Sequence, residues 1–261
     1  IDPPKTDPIG EIICKYDVDT IKNKTEIIGA EFIKKSVFDI FVDDELIQYT
    51  REVNFSSIGL HQVKFILYEN LNMDYMFKNI KALISIEMNS TSNLNADILS
   101  MESTFENCYN LENIKVSGFS TKGIKSIKKL FYNTKISIID MAWLDTSNIE
   151  DMSYLFALTP VSSIDLSKIS TNSLKNLSHF FYGCHSLTDI NFANFETIKV
   201  IDMSSMFESC DSIAELDLSN FGTDEVKNMS KMFKNCVTLK NLKFDKINTK
   251  NVVDMSFMFD E

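Results

Sequence analysis

A phenylalanine recurs at an almost constant interval through most of the chain. Each one ends a segment of the form (D/N/S)-M-x-x-M-F or a close variant, and successive members lie 28, 26, 25, 25, 26, 26 and 26 residues apart. The eight anchors are Phe77, Phe105, Phe131, Phe156, Phe181, Phe207, Phe233 and Phe259. Units of this length cannot bury an apolar face alone, but stacked units share one core. The period therefore predicts a solenoid over residues 70–261.

The segment around each anchor has the spacing of one helical face. Met203, Met206, Phe207 and Cys210 fall at i, i+3, i+4 and i+7. The residue before each segment belongs to the group that caps helix N-termini: Asn72, Ser100, Ser126, Asp151, Asn176, Asp202, Asn228 and Asp254. Two residues after most anchors comes a residue that tolerates a left-handed helix end: Asn79, Asn107, Asn133, Gly183, Ser209 or Asn235. We predict a short capped helix in each unit.

The apolar period then changes to two. Ile190 and Phe192, like Leu216 and Leu218, point one way, while the residues between them point the other. This alternation is typical of a short strand with one buried face. The expected fold is an α/β solenoid, a leucine-rich-repeat-like right-handed coil of about eight strand and short-helix units, each of 25–28 residues.

The cysteines follow the repeat. Cys108, Cys184, Cys210 and Cys236 lie three residues after an anchor, where other units have Ile80, Thr134 or Thr159. A position that accepts Cys, Thr and Ile indicates a small buried slot, so we interpret these thiols as core residues. Disulfides between neighbouring units would have to meet narrow distance limits. No Cys/His cluster has metal spacing, and we predict neither a metal nor a cofactor.

Residues 200–233, VIDMSSMFESCDSIAELDLSNFGTDEVKNMSKMF, resemble the BspA-type leucine-rich-repeat surface proteins. The hallmark of that family is (N/D)-M-S-x-M-F-x-x-C-x-x-L-x-x-L-D-L-S-x-F-x-T. The resemblance extends over roughly 190 of the 261 residues and is strongest from Leu174 onward. It implies a role at the surface of a bacterial, mycoplasmal or protist cell, in adhesion or in binding a host factor. The family provides no catalytic residues to carry over.

Residues 11–69 lack the repeat and contain three alternating apolar stretches, at 12–16, 37–42 and 61–68. Asp43-Asp44-Glu45 indicates a hairpin turn between strands. We expect a small antiparallel, β-sandwich-like domain, similar to immunoglobulin-like modules, that caps one end of the solenoid. Residues 1–10, which contain three prolines, are expected to be a linker or tail. Because the sequence stops within a unit, at Phe259-Asp260-Glu261, we expect further repeats in the natural protein.

The net charge of −11 disfavours nucleic acid and anionic membranes as partners. No apolar run approaches the roughly 20 residues needed to span a bilayer. The histidines are His61, His179 and His185. Cys184 adjoins His185, but the repeat directs this cysteine into the core, so a thiolate pair is not expected. We therefore predict that the chain is not an enzyme.

A partner is expected on the strand face, since solenoids often bind on their concave face. The outward positions there are polar, with an acidic middle: Glu87, Lys115, Asp140, Asp165, Asn191, Asp217 and Lys243. One unit departs from the pattern, with Ile138 and the single tryptophan, Trp143. An exposed Trp is a common interface anchor, but Trp143 could equally fold over a neighbouring unit. The candidate binding residues are Trp143, Ile138, Asp140, Asp165, Asn191 and Asp217.

The expected function is a non-enzymatic extracellular or cell-surface scaffold. Its partner would be a protein, such as a host or matrix factor or a neighbouring subunit, or a glycan. The alternative is a structural subunit that packs with itself or its neighbours in a larger assembly. Asn-x-Ser/Thr sequons are weak evidence for secretion, and they occur at Asn23, Asn54, Asn89, Asn176 and Asn228.

Overall fold

A computed structural model describes residues 7–21, 23–33, 38–90 and 96–260. The expected tail residues 1–6 and the last residue, Glu261, lie outside these ranges. The strands are β1 Gly10–Val18, β2 Thr25–Glu26, β3 Phe38–Val42, β4 Glu45–Ile47, β5 Glu52–Val53, β6 Gly59–Leu67, β7 Leu71–Asn72, β8 Leu83–Ser90, β9 Ala96–Ser100, β10 Asn113–Ser117, β11 Phe119–Ser120, β12 Ser163–Asp165, β13 Asp189–Asn191, β14 Glu215–Asp217 and β15 Asn241–Lys243.

The repeats form a β-solenoid, which confirms the prediction at that level. It has about six turns rather than the expected eight units. A column of parallel bridges follows six successive coils through Ser126, Asp151, Asn176, Asp202, Asn228 and Asp254. The first two anchor-bearing units instead contribute their strands β8 and β10 to a sheet shared with the N-terminal segment.

The predicted short helices are wrong, because no described residue is helical. The segment 203–210 is a pair of tight turns in which Ser205 and Ser209 have positive φ, at 53° and 62°. An α-helix cannot contain such residues, since every residue of the helix has a negative φ. The four apolar residues at helical spacing are nevertheless fully buried. Successive three-residue turns place them on one side almost as a helix would.

The backbone amides of this segment alternate between two kinds of acceptor. The amides of Met206 and Cys210 donate within the coil, to the carbonyls of Met203 and Phe207. The amides at 205, 207 and 209 donate instead to the next coil, at N–O distances of 2.8–2.9 Å. Every amide from 205 to 210 thereby has an acceptor, which buried amides require. The turns therefore join neighbouring coils, which a helix could not do.

The predicted caps have a related role in these turns. The side-chain oxygen of Asp202 accepts a hydrogen bond from the amide of Ser204 at 2.8 Å. Asp151 and Asn228 accept from the amide two residues on in the same way, at 2.8 and 3.0 Å. The residue type thus marks the start of each segment correctly. What it starts is an Asx turn, a conformation that Asp and Asn side chains also favour.

The anchors form a continuous ring stack that is buried in the solenoid except at its last ring, Phe259, which is exposed. Successive centroids lie 5.3–6.2 Å apart, and interplanar angles do not exceed 23°. The cysteine slots lie beside this stack, and the Cys210 thiol donates to the carbonyl of Phe181 at 3.1 Å. All five cysteines are free thiols. The interpretation of the repeat cysteines as core residues is confirmed, although Cys236 is only partly buried.

The N-terminal strands belong to a six-stranded sheet of order β10-β8-β1-β6-β3-β4. Pairing among β1, β3, β4 and β6 is antiparallel, as expected, and β1 pairs directly with β8 of the first repeat unit. The described strands therefore extend the solenoid as one sheet, with a separate two-stranded β2–β5 pair, rather than as an immunoglobulin-like sandwich. Phe65 of β6 packs edge-on against Phe77, 5.9 Å between centroids, and so covers the end of the ring stack.

The hairpin turn between β3 and β4 lies where the sequence predicts it. Asp43 and Asp44 are its two central residues and have φ of 47° and 69°. Two positive φ values are typical of the type I′ turn that suits a two-residue hairpin. This turn places the Asp43 carboxylate over β6, where it contacts His61.

Candidate functional site

The strand face is built from pairs of three-residue strands. β12 pairs with β13 and β14 pairs with β15, both in parallel register. Asp165 is in register with Asn191, whose amide donates to the Asp165 carboxylate at 3.0 Å. Asp217 is in register with Lys243, and the two form an ion pair at 3.2 Å. The structure thus brings these predicted residues onto one exposed surface.

The acidic residues of this surface also end their strands. One carboxylate oxygen of Asp217 accepts the amide of Ser219 at 2.9 Å, and Asp165 accepts that of Ser167 at the same distance. Hydrogen bonds from the Ser219 hydroxyl and amide, together with Lys243, lower the pKa of Asp217 to about 2. Hydrogen bonds from Ser167 lower the pKa of Asp165 as well. Both carboxylates are therefore charged at neutral pH, and each has a structural task besides any binding.

A groove of about 570 Å³ lies across β13, β14 and β15. β13 and β14 are neighbours in space, but they do not pair, so the strand column is interrupted there. The groove carries both charges, with Asp189, Glu215 and Asp217 against Lys240 and Lys243. Its apolar lining residues are Ile190, Ile213, Leu216 and Leu242. This mixture fits a polar partner surface better than a purely apolar ligand.

Only half of the outward-facing positions on the strands were identified from the sequence. Each three-residue strand has two of them, and the predicted strand face included only the second. The first holds Ser163, Asp189, Glu215 and Asn241, all exposed. Asn241 donates to the Glu215 carboxylate at 2.9 Å, which repeats the contact between Asn191 and Asp165. The two-residue alternation that identified Asp217 was sufficient to find Asp189 and Glu215 too.

The unit with the tryptophan lacks a strand. Residues 134–140 have no regular structure, although they fall between β10 and β12 in the chain. Ile138 is 87% exposed, and the Asp140 carboxylate accepts the amide of Ala142 at 2.9 Å. Trp143 is partly buried and packs against the hydrophobic core. Its surroundings favour the alternative in which the ring folds onto the solenoid, and they separate it from the groove residues.

The neighbouring Cys184 and His185 do not form a catalytic pair. The Cys184 thiol is fully buried and donates to the carbonyl of Phe156 at 3.0 Å, while His185 is exposed beside Asp211 at 3.2 Å. Burial raises the pKa of Cys184 to about 12. A thiol in this state is not a nucleophile at neutral pH.

A Ser, a His and an Asp meet in the N-terminal sheet. His61 Nδ1 lies 2.6 Å from the Asp43 carboxylate, and His61 Nε2 lies 3.4 Å from the Ser57 hydroxyl. The same Nε2 is closer, at 2.9 Å, to the main-chain oxygen of Ser57. A general base would need a lone pair at Nε2 directed at the hydroxyl. Here Nε2 donates to a carbonyl, so the arrangement differs from a hydrolase triad.

Metal sites and membrane spans are both absent from the described residues. No group of three or more His, Cys, Asp or Glu side chains there could hold a metal ion. The same part of the chain contains no helix with the length and apolarity to cross a membrane.

A family model matches the repeat region in three overlapping segments, residues 71–188, 99–211 and 160–261. Its description is "Mycoplasma protein of unknown function, DUF285". No curated protein and no solved structure matches the chain. The three segments together span residues 71–261, well over half of the sequence, and begin at β7, where the solenoid core begins. The chain therefore belongs to the DUF285 family.

Proposed function

We propose that the chain is a non-enzymatic scaffold at the cell surface that binds a protein partner through the strand face of its solenoid. The single observation that carries this proposal is the groove across β13–β15, with its exposed carboxylates and lysines. The resemblance to BspA-type surface proteins supports the same location and role, and it supports reading the coils as variant leucine-rich repeats.

The charge of the groove indicates the kind of partner. Asp189 and Glu215 are exposed carboxylates with no lysine bonded to them among the described residues, while Lys243 neutralises Asp217. The chain as a whole carries a net charge of −11. A partner with a basic patch would therefore be steered to this face, and its association would slow as salt increases.

The test uses the whole chain, immobilised, against a panel of purified extracellular-matrix proteins and fixed host cells. A variant with Asp189→Lys and Glu215→Lys reverses the groove, and a variant with Glu196→Lys and Glu225→Lys makes the same charge change at exposed sites outside it. We expect the groove variant to bind at least tenfold more weakly and the control variant to bind like the parent. Equal binding by both variants, or no binding by the parent to any probe, contradicts the proposal.

Self-packing is a second candidate, favoured by the outer face of the six-stranded sheet. Leu46 and Leu60 are exposed there, and Ile13 and Phe41 are only partly buried. A solvated sheet face is normally polar. Sedimentation equilibrium of the chain and of a Leu46→Lys, Leu60→Lys variant tests this: a dimer that the substitutions dissociate supports self-packing, and a monomer at all concentrations excludes it.

A further inference from the structure

His61 joins two segments of the N-terminal sheet that the backbone does not hold together directly. Asp43 lies in the β3–β4 turn and Ser57 in the segment between β5 and β6. The imidazole of His61 lies 2.6 Å from the Asp43 carboxylate and 2.9 Å from the main-chain oxygen of Ser57. The imidazole is shielded, since His61 is only 7% exposed, whereas both of its partners lie in exposed residues.

The two nearest partners of the ring, the Asp43 carboxylate and the Ser57 carbonyl, are hydrogen-bond acceptors, whereas the Ser57 hydroxyl, 3.4 Å from Nε2, could donate to a neutral ring. A carboxylate at neutral pH and a main-chain carbonyl have no hydrogen to donate, and a neutral imidazole has only one N–H. A neutral ring could therefore satisfy one contact, while its second nitrogen would direct a lone pair at an oxygen. Only the imidazolium, which has two N–H groups, satisfies both contacts at once.

We propose that His61 is a proton-operated latch that holds segment 54–58 against the β3–β4 hairpin when protonated and releases it when neutral. The Phe55 ring packs on the imidazole, with centroids 4.4 Å apart, so it lies in the segment that is released. Between the hairpin and this segment is a groove of about 420 Å³ lined by Val42, Ile47, Val53 and Phe55, with Asp43 and Glu45 among its polar residues. Release of the segment would widen this groove.

The charges around the ring agree with this assignment. Burial lowers the pKa of His61, but its hydrogen bonds to Asp43 and Ser57 outweigh burial and raise the pKa above its ordinary value. Burial raises the pKa of the Asp43 carboxyl, but hydrogen bonds from the Gln62 amide, at 3.0 Å, and from His61 outweigh it and lower that pKa. Opposite His61 on β1 is Tyr16, whose phenol donates to the carbonyl of Ile27. Asp44 and Glu45, in and after the same turn, are exposed.

The direction of the pH effect follows from the sign of the shift. Because the pKa of His61 is raised on folding, the latch contributes fully below the unfolded value, about 6.5. The contribution is lost as pH rises through the higher folded value. For each pKa unit by which His61 differs between the closed and the open state, protonation changes the equilibrium constant for opening by about tenfold.

The experiment combines NMR titration of the histidine rings with the heteronuclear NOE of the amides of residues 54–58, which reports backbone motion in that segment. We expect the ring pKa of His61 to lie above the ordinary value for histidine, and the heteronuclear NOE of 54–58 to fall as pH rises through that pKa. Asp43→Asn keeps a residue suited to the turn but removes the charge. It should lower the pKa of His61 and move the fall in the heteronuclear NOE to lower pH.

Two control variants test whether the imidazole and its Asp43 contact alone set the transition. Ser57→Ala removes the hydroxyl but leaves the main-chain oxygen, so the transition should not move. Asp211→Asn removes the carboxylate beside His185, and the transition in segment 54–58 should again stay at the same pH. His61→Gln should abolish the step and leave segment 54–58 mobile at all pH values. A heteronuclear NOE with no step near the pKa of His61, a step unmoved by Asp43→Asn, or a step lost in Ser57→Ala overturns the proposal.

Discussion

Two coils of the solenoid differ in their strands but have the same turns. The coil of Phe207 contains β14, which pairs with β15. The coil of Phe131 is one residue shorter and has no strand in residues 134–140. Yet the amides of Lys129, Phe131 and Asn133 still donate to the next coil at 2.9–3.2 Å, and Phe131 stacks between its neighbours. The turns are therefore the part of each coil that holds the solenoid together, and the strands vary around them.

The largest expected effect is loss of an anchor ring, and it should be equal in the two coils. Phe207→Ala and Phe131→Ala each remove a buried ring from the stack. Each should lower the free energy of unfolding by about 3–5 kcal/mol. Urea denaturation followed by circular dichroism measures this. A loss below about 1 kcal/mol for Phe131→Ala alone would show that the irregular coil does not depend on its turn.

Substitutions in the strand segment should destabilise the two coils to different extents. Leu216 of β14 is buried, whereas Ile139, at the same position of the irregular coil, is only partly buried. Leu216→Ala should cost about 2–4 kcal/mol of unfolding free energy, and Ile139→Ala about 1–2 kcal/mol. The same urea assay compares them. Similar losses at both positions would mean that residues 134–140 are packed as tightly as a strand.

Gly183 tests how closely two coils approach at the turns. Its φ is +67°, and a Cβ there would lie 2.5 Å from Cδ2 of Leu158 in the preceding coil. Gly183→Ala should therefore cost about 1–2 kcal/mol of unfolding free energy. Part of this cost should disappear in a Leu158→Ala background.

Gly123 provides the matched control, since a Cβ on it meets no atom within 4 Å and its φ is not positive. Gly123→Ala should be neutral or slightly stabilising. If Gly183→Ala is equally neutral, or if Leu158→Ala does not reduce its cost, the close contact between these coils is not a constraint.

The smallest effect is expected at the cysteine slot. The Cys210 thiol donates to a carbonyl of the preceding coil, and Thr134 fills the same slot in the irregular coil by donating within its own coil. Cys210→Thr and Thr134→Cys should each change the unfolding free energy by less than about 1 kcal/mol, because volume and a donor are kept. A cost well above this for one substitution alone would show that the slots are not equivalent.

The sequence was sufficient to predict the period, the buried face and the start of each turn. Met203, Met206 and Phe207 are buried as expected, and Asp202 binds the amide two residues on. The sequence was insufficient to distinguish a helix from paired turns, because both structures bury residues at i, i+3 and i+4. The positive φ at Ser205 carries no sequence signal, since Ser, Lys, Tyr, His and Phe all occupy that position in different coils.

The candidate sites were predictable only in part. Asp217 and Asn191 could be placed on the strand face from the two-residue alternation alone. The contact between Asp43 and His61 could not be predicted, because it depends on the register of β3 with β6 and joins residues 18 positions apart in the chain. The packing of Trp143 likewise depends on how the shortened coil is accommodated.

The alternation of amides between the coil's own turn and the next coil also bears on how the chain folds. Contacts between coils join residues a nearly constant distance apart, for example 26 residues from Asn133 to Asn107 and 29 from Cys210 to Phe181. Each added coil therefore closes a loop of similar length and meets a similar entropy cost. The six-stranded sheet offers a preformed edge at β10, and assembly can proceed from it one coil at a time. Folding of this kind is a directional growth process, and its rate should depend little on the number of coils already in place.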